Sequence, residues 1–238
     1  MRKYIFLIVL CLSLSGAVQA FAAEKPRIGV LRFTNHTHAG WWGYTSGTEL
    51  QDMLIAELAS TKAFRVLERQ ELDKVLSEQK LSESGLVEES TRIRPGRIKA
   101  AKYLVAATVS SFQENTSGDE GGVNIMGFRV GGAKKTAYMA VDLKVINTET
   151  GEIADTRTVE ATSSSGGLRL SGSLGVFGGN LGKEEKTPVG KAIRSCIIEI
   201  SDYLECSLAK KDDQCIKEFN EKEKKRKDRT RKAIKLDE

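Results

Sequence analysis

The sequence predicts a three-layer-like α/β domain: a mixed sheet covered by helices, interrupted by two long excursions. Three observations predict it. Short alternating strands and amphipathic helices follow one another in the order β-α-β-α-β-β-β-α. Two longer alternating runs, Tyr138 to Asn147 and Ile153 to Thr162, flank the turn Thr148-Glu149-Thr150-Gly151 and read as a hairpin. Two Gly-rich windows, 113–136 and 163–187, interrupt this plan. Each exceeds the ~15 residues beyond which an unstructured loop is uncommon in a compact domain.

At the start, Arg2 and Lys3 precede an apolar run from Tyr4 to Val18. Val18 and Ala20, or Ala20 and Ala22, suit a signal peptidase, so residues 1–22 read as a secretory signal rather than a membrane span. Residues 23–216 then form the α/β body and 217–238 a charged C-terminal tail. The net charge is +5, but the tail carries ten Lys/Arg against six Asp/Glu, and Arg2 and Lys3 add two more cations. The body is therefore close to neutral, which argues against a basic nucleic-acid face.

Within the body, Ile28, Val30 and Leu31 mark a first strand over Arg27 to Phe33. Thr34 to Gly47 is a loop rich in histidine, glycine and aromatics. Thr48 to Leu58 is a helix with Leu50, Met53, Leu54 and Leu58 on its apolar stripe. Phe64 to Leu67 is the second strand and Gln70 to Gln79 the second helix, with Leu72, Val75 and Leu76 at helical spacing. This strand–helix unit is expected to pack on the sheet, with Glu68 and Arg69 as a buried or interfacial ion pair at its joint. A short helix or turn is expected over Thr91 to Ala101, its start limited by Pro95. Tyr103 to Phe112 is a strand, and Val189 to Leu208 the last helix, with Ala192, Cys196, Ile197, Ile200 and Leu204 on one side. In the second window Leu168, Leu170, Leu174 and Val176 share one parity, while Arg169, Ser171 and Ser173 share the other. That is a strand with one apolar and one polar face; Met126, Phe128 and Val130 give the first window a poorer version. The tail's mixed charges at helical spacing suit a solvated helix or a disordered extension.

No Ser-His-Asp, Cys-His or paired-carboxylate arrangement can be argued, so the chain is read as a non-enzyme without a cofactor. Gly127 to Thr136 fails the phosphate-loop pattern because Ala133 stands where lysine is required. His36 and His38 have no convergent third ligand, so no metal site is expected. Outside the signal the cysteines are Cys196, Cys206 and Cys215. In an oxidising compartment Cys206 and Cys215 are the expected disulfide, leaving Cys196 as a buried thiol on a helix.

Two stretches carry a family resemblance. The joint Leu67-Glu68-Arg69-Gln70, followed by a helix with Leu72 and Leu76, resembles the central signature of the CsgG family. That family contains the curli secretion channel of bacterial outer membranes. Val141 to Ile153, a strand, an asparagine, a turn and then Gly-Glu-Ile, is similar to a second family pattern. The resemblance covers roughly Arg27 to Leu208. It implies a homo-oligomeric ring whose subunits each give two hairpins, here 113–136 and 163–187, to one transmembrane barrel. Barrel strands need about 9–11 residues with alternating faces, and both windows are long enough for a hairpin. In the family the loop after the first strand lines the narrowest part of the pore; alignment from the following helix makes Trp41 and Trp42 constriction candidates, with Tyr44 as a third. The implied function is passage of unfolded extracellular fibre subunits through the outer membrane without nucleotide hydrolysis. The implied partners are the secreted fibre subunit and a periplasmic accessory factor, with no nucleic acid. Leu10 before Cys11, and the cysteine's place in mid-run, do not suit the lipid anchor of the curli channel. A second reading from the same residues is a soluble periplasmic binding module of the same fold that organises cell-envelope or peptidoglycan machinery.

Overall fold

The structure is a computed structural model and describes residues 24–117, 123–125, 128–130, 134–164, 167–170 and 187–233. The expected secretory signal and parts of both Gly-rich windows lie outside the described residues. The strands are β1 (Arg27–Val30), β2 (Thr34–Asn35), β3 (Arg65–Val66), β4 (Tyr103–Ser117), β5 (Val123–Ile125), β6 (Phe128–Val130), β7 (Lys134–Asn147), β8 (Ile153–Ser164) and β9 (Gly167–Leu170). The helices are α1 (Ser46–Ser60), α2 (Leu72–Glu83), α3 (Pro188–Leu204) and α4 (Asp213–Ala233).

The main sheet runs β3-β1-β4-β7-β8-β9, and β2 also pairs with β4. Connections through helices set β1 parallel to both β3 and β4, while β4, β7, β8 and β9 pair antiparallel, β7 and β8 across the tight turn at Thr148–Gly151. Alternate residues decide which face is covered. Val105, Ala107 and Val109 of β4, Val141, Leu143 and Val145 of β7, and Val159 and Ala161 of β8 are buried. They share one core with Leu50, Leu54 and Leu58 of α1 and Ala192, Cys196, Ile197, Ile200 and Leu204 of α3. The mixed α/β architecture is therefore as expected, but α1 and α3 lie side by side in one layer. Asp142, Lys144 and Thr156, pointing the other way, are exposed. The described residues thus build two layers rather than three.

Local chemistry sets the element ends. Thr187 caps α3 by accepting from the Gly190 amide at 3.1 Å, and Pro188 occupies the first helical position. β1 stops at Val30, where the buried side chain of Gln51 donates to the Val30 carbonyl at 2.7 Å. A six-residue π turn, Glu205–Lys210, follows α3 and closes on Lys211 in the left-handed region at φ 52°. A disulfide joins Cys206 in that turn to Cys215 in the first turn of α4. Cys196 is a buried free thiol, and burial pushes it well above the ordinary range.

Three local expectations are corrected. Of the helix or turn expected over 91–101, the helix does not form: a 3-10 turn at Glu89–Thr91 is followed by non-helical chain that bends at Pro95 and Gly96, where Pro95 lacks an amide and Gly96 sits at φ 74°. α2 does not pack on the sheet: Ser82 is its one buried residue, and Val75 and Leu76 are 40% and 39% exposed. The charged run is not a free extension: residues 217–233 belong to α4, which begins at Asp213 and docks on the body. Phe219 is buried against Tyr203, ring centroids 5.2 Å apart. Arg157 of β8 donates to the Phe219 carbonyl and stacks on the Tyr203 ring at 4.5 Å. Glu160, on the other face of β8, meets Arg226 at 3.8 Å and Arg229 at 3.6 Å. One helix touching both faces of β8 runs along its edge.

Phe219→Ala should lower unfolding stability in urea by about 3 kcal/mol, since it empties a buried aromatic site and frees the α4 dock. Glu218→Ala, on the exposed side of the same helix, should change it by less than ~0.5 kcal/mol.

Candidate functional site

The aromatic loop lies between β2 and α1. Asn35 begins it by folding the chain on its own side chain, which accepts from the Thr37 amide at 2.9 Å and the Thr37 hydroxyl at 2.7 Å. The Thr37 hydroxyl accepts from the Ala39 amide at 3.2 Å, and the Trp42 amide donates to the Ala39 carbonyl at 3.0 Å. At the far end Ser46 accepts from the Gly43 amide at 2.8 Å. Gly47 is required there, because a Cβ would collide with the Phe33 carbonyl. The loop is short and internally bonded at both ends.

Its three aromatic rings have different surroundings. Trp41 is half-buried, edge-on to Trp42 at 5.5 Å and to Phe112 at 5.6 Å. Trp42 is also half-buried, against the core's edge. Tyr44 is 88% exposed, and the Arg32 guanidinium lies 5.4 Å from its ring centre and donates to its carbonyl. Tryptophans 41 and 42 are thus brought together, while Tyr44 stands apart.

The partner of Trp41 was not legible in the sequence. Before a bulge, Val109 of β4 faces Val141 of β7; after it, Ser111 faces Ala140 and Phe112 faces Met139. The extra residue turns Phe112 to the helix side of the sheet, where Met139 is buried. Phe112 is the last residue before the first Gly-rich window. Beyond it the β4–β7 ladder continues antiparallel to the pair Ser117 and Lys134. In the second window β9 folds back on β8, Ser164 pairing with Gly167.

The strand–helix joint holds elements together. Glu68 accepts from the Gln70 amide at 2.5 Å and the Glu71 amide at 3.1 Å, just where α2 begins with unsatisfied amides. Arg69 donates to the Lys99 carbonyl at 2.9 Å, and the Gln70 amide group to Asp52 of α1 at 2.7 Å. Among the described residues no Glu68–Arg69 ion pair forms; Glu68 makes two bonds to backbone amides and Arg69 one to a backbone carbonyl. The Glu71 amide, with smaller help from Gln70 and Arg69, outweighs desolvation and holds the Glu68 carboxyl below its usual range. His36 and His38 are exposed, and no group of three or more metal-ligating side chains occurs among the described residues.

On the uncovered face of the sheet lies a polar groove of about 710 Å³, lined among others by His36, Thr108, Asp142, Lys144, Thr158 and Arg226. The Tyr203 hydroxyl beside it donates to Asp155, and burial followed by that carboxylate pushes the phenol up. No helix among the described residues is long and apolar enough to cross a membrane.

Glu68→Ala should cost about 1 kcal/mol of unfolding stability at pH 7, as for the loss of a helix cap. Because the folded-state carboxyl is depressed, its contribution is present above the unfolded carboxylate pKa of ~4.3 and fades as pH falls below it. Urea unfolding of both proteins at pH 7 and pH 3 should show the difference at the first value and a smaller one at the second.

Comparison with known proteins gives one consistent family. The family model described as "Curli production assembly/transport component CsgG" matches residues 12–234. The proteins of that name from Escherichia coli (strain K12) and Salmonella typhimurium are each 30% identical over 158 residues, 61% of this chain and 56% of theirs. The chain thus spans a little over half the length of the curated relatives it matches. Among solved structures, the hypothetical protein CT253 from Chlamydia trachomatis is similar over 76% of this chain and 96% of its own, at TM-score 0.44 and 15% identity.

Proposed function

We propose, since this chain belongs to the CsgG family of curli production assembly/transport components, that it is the subunit of an oligomeric outer-membrane channel. The channel passes unfolded extracellular fibre subunits without nucleotide hydrolysis. In this reading residues 1–22 export the chain, the body stands in the periplasm, and the windows 113–136 and 163–187 supply the membrane hairpins. The secreted fibre subunit and a periplasmic accessory factor are the partners.

One observation carries the reading: the aromatic loop is braced on the foot of the first window. Trp41 packs edge-on to Phe112 at 5.6 Å, and β4 and β7 run on together from there. A loop so placed moves with the hairpin's base, as a constriction at the membrane's inner edge must. Tyr44 and Trp42 then face the passage, and Trp41 is their anchor. Rings of aromatics let an extended chain slide while narrowing the path for ions. The antiparallel return of β9 on β8 supports a second hairpin. Barrel strands hydrogen-bond between neighbours, so a membrane-spanning role needs no apolar helix.

The groove on the open sheet face favours a second reading, a soluble periplasmic binding module that organises envelope or peptidoglycan machinery.

Fractionation of cells, followed by planar-bilayer recording of the purified full chain, separates the two. Outer-membrane residence with large, steady single-channel steps is expected. Tyr44→Ala and Trp42→Ala should enlarge the steps. Trp41→Ala should instead lower stability, by about 2 kcal/mol for a half-buried ring. A soluble protein that carries no current would sink the channel reading and leave the binding module.

A further inference from the structure

Between α2 and β4 the chain leaves the body as an exposed arm. From Thr91 to Ala100 every residue is exposed. Arg92, Arg94, Arg97, Lys99 and Lys102 fall within eleven positions, with no acidic residue among them. Ile93 and Ile98, 44% and 39% exposed, are interleaved. None of Arg92, Arg94 and Arg97 makes an ion pair among the described residues. The backbone is nonetheless fixed. The Ser82 hydroxyl accepts from the Ile93 amide at 2.7 Å, and Arg69 and Arg27 hold the Lys99 and Ala100 carbonyls at 2.9 Å each. An ordered run of unpaired cations with apolar residues between them is a surface prepared for an anionic partner.

The same chain presents an anionic patch. α1 packs against α3, and Glu57 near the end of α1 stands by Asp202, with Glu199 one turn before it and Glu205 at the start of the π turn. Glu199 and Glu205 have their own cations, Lys222 at 2.8 Å and Lys210 at 3.0 Å. Asp202 makes no ion pair among the described residues. Burial, then Glu199, Glu205 and Glu57, push its carboxyl up. A cation brought there from outside would relieve that crowding.

The two patches lie at one end of the sheet and on opposite faces. The basic run enters β4 where the Lys102 amide donates to the Arg27 carbonyl, at the start of β1. α1 ends just before β3, whose Arg65 pairs with Arg27. Tyr203, next to Asp202, bonds to Asp155, which pairs with Val145 and through it with Val105. Both patches therefore sit at the end where β4 begins. α1 and α3 cover the face to which Ile28 and Val30 point. Gly29 points the other way, where the Arg69 stem that holds Lys99 crosses it. Two complementary patches at one height and on opposite sides make a head-to-tail contact, which repeats into a ring if the rotation closes.

We propose that the basic run Arg92–Lys102 of one copy docks on Glu57 and Asp202 of a second copy. The inference rests on the ring reading above and names its subunit contact. A lipid surface fits less well: the run lies at the start of β4, and the first Gly-rich window begins only at Gln113, about 33 Å further along the extended strand.

The test is charge reversal on the full chain in detergent, with mass photometry as readout and circular dichroism as the check on folding. R94E/R97E and E57K/D202K touch exposed or half-exposed side chains, so both should stay folded. Each alone should associate at least about tenfold more weakly than the unaltered chain. An equal mixture of the two should co-assemble, because the reversed run of one meets the reversed patch of the other. Unaltered protein that stays monomeric at all concentrations overturns the ring reading and this contact with it. Unaltered protein that assembles while both variants do so equally well overturns only the contact. Weakened variants without rescue on mixing also overturn it. So does loss of adhesion to phosphatidylglycerol vesicles by R94E/R97E with assembly unchanged, which assigns the run to lipid.

Discussion

A single extra residue in β4 governs how the sheet meets the rest of the molecule. For its first seven residues β4 alternates in step with the core, and Val105, Ala107 and Val109 lie under the helices. The bulge before Ser111 reverses that alternation. Without it, Phe112 would point to the open face and the aromatic loop would have nothing to rest on. With it, Phe112 continues the helix-side row beside Met139, and Trp41 closes against it. Bulges bend and twist a strand as well as re-aiming it. The place where β4 stops serving the body is therefore also the place where it can change direction.

The outer side of the sheet poses a different problem. Among the described residues β8 is an edge over most of its length, open to pairing with another chain. α4 answers it. Arg157 uses its guanidinium four ways, on a carbonyl of α4, on the Asn220 side chain, on the Tyr203 ring and on the Phe219 ring. Glu160 holds the other face through two arginines. The surface pairs contribute little one by one. They gain weight from standing around a buried aromatic pair.

How much of this the sequence discloses depends on the range of the interaction. Periodicity was enough for α1, α3, β7, β8 and the sheet's mixed character, since each buries one face on a regular spacing. It misled for α2. Val75 and Leu76 have helical spacing but no surface to meet in the monomer, so pattern gave the helix and not its packing. It had nothing to say for 91–101, where Pro95 and Gly96 leave no helix. The bulge left no local trace, because Ser110 and Ser111 are as plausible in an unbroken strand. Thus Trp41 and Trp42 could be picked out as unusual, but the ring that holds Trp41 could not. The start of α4 was missed for a related reason: charge count dominates from Lys217 onward, while its docking depends on the one aromatic, Phe219.

The disulfide between the π turn and α4 closes a loop of nine residues, worth roughly 2–3 kcal/mol in chain entropy. Its value depends on where the chain is. Thiols stay reduced in the cytosol and pair in the envelope. In an exported chain the latch over β8 is therefore weaker before translocation than after it. On the proposed export, the seal on that strand edge tightens only after the chain has left the reducing side.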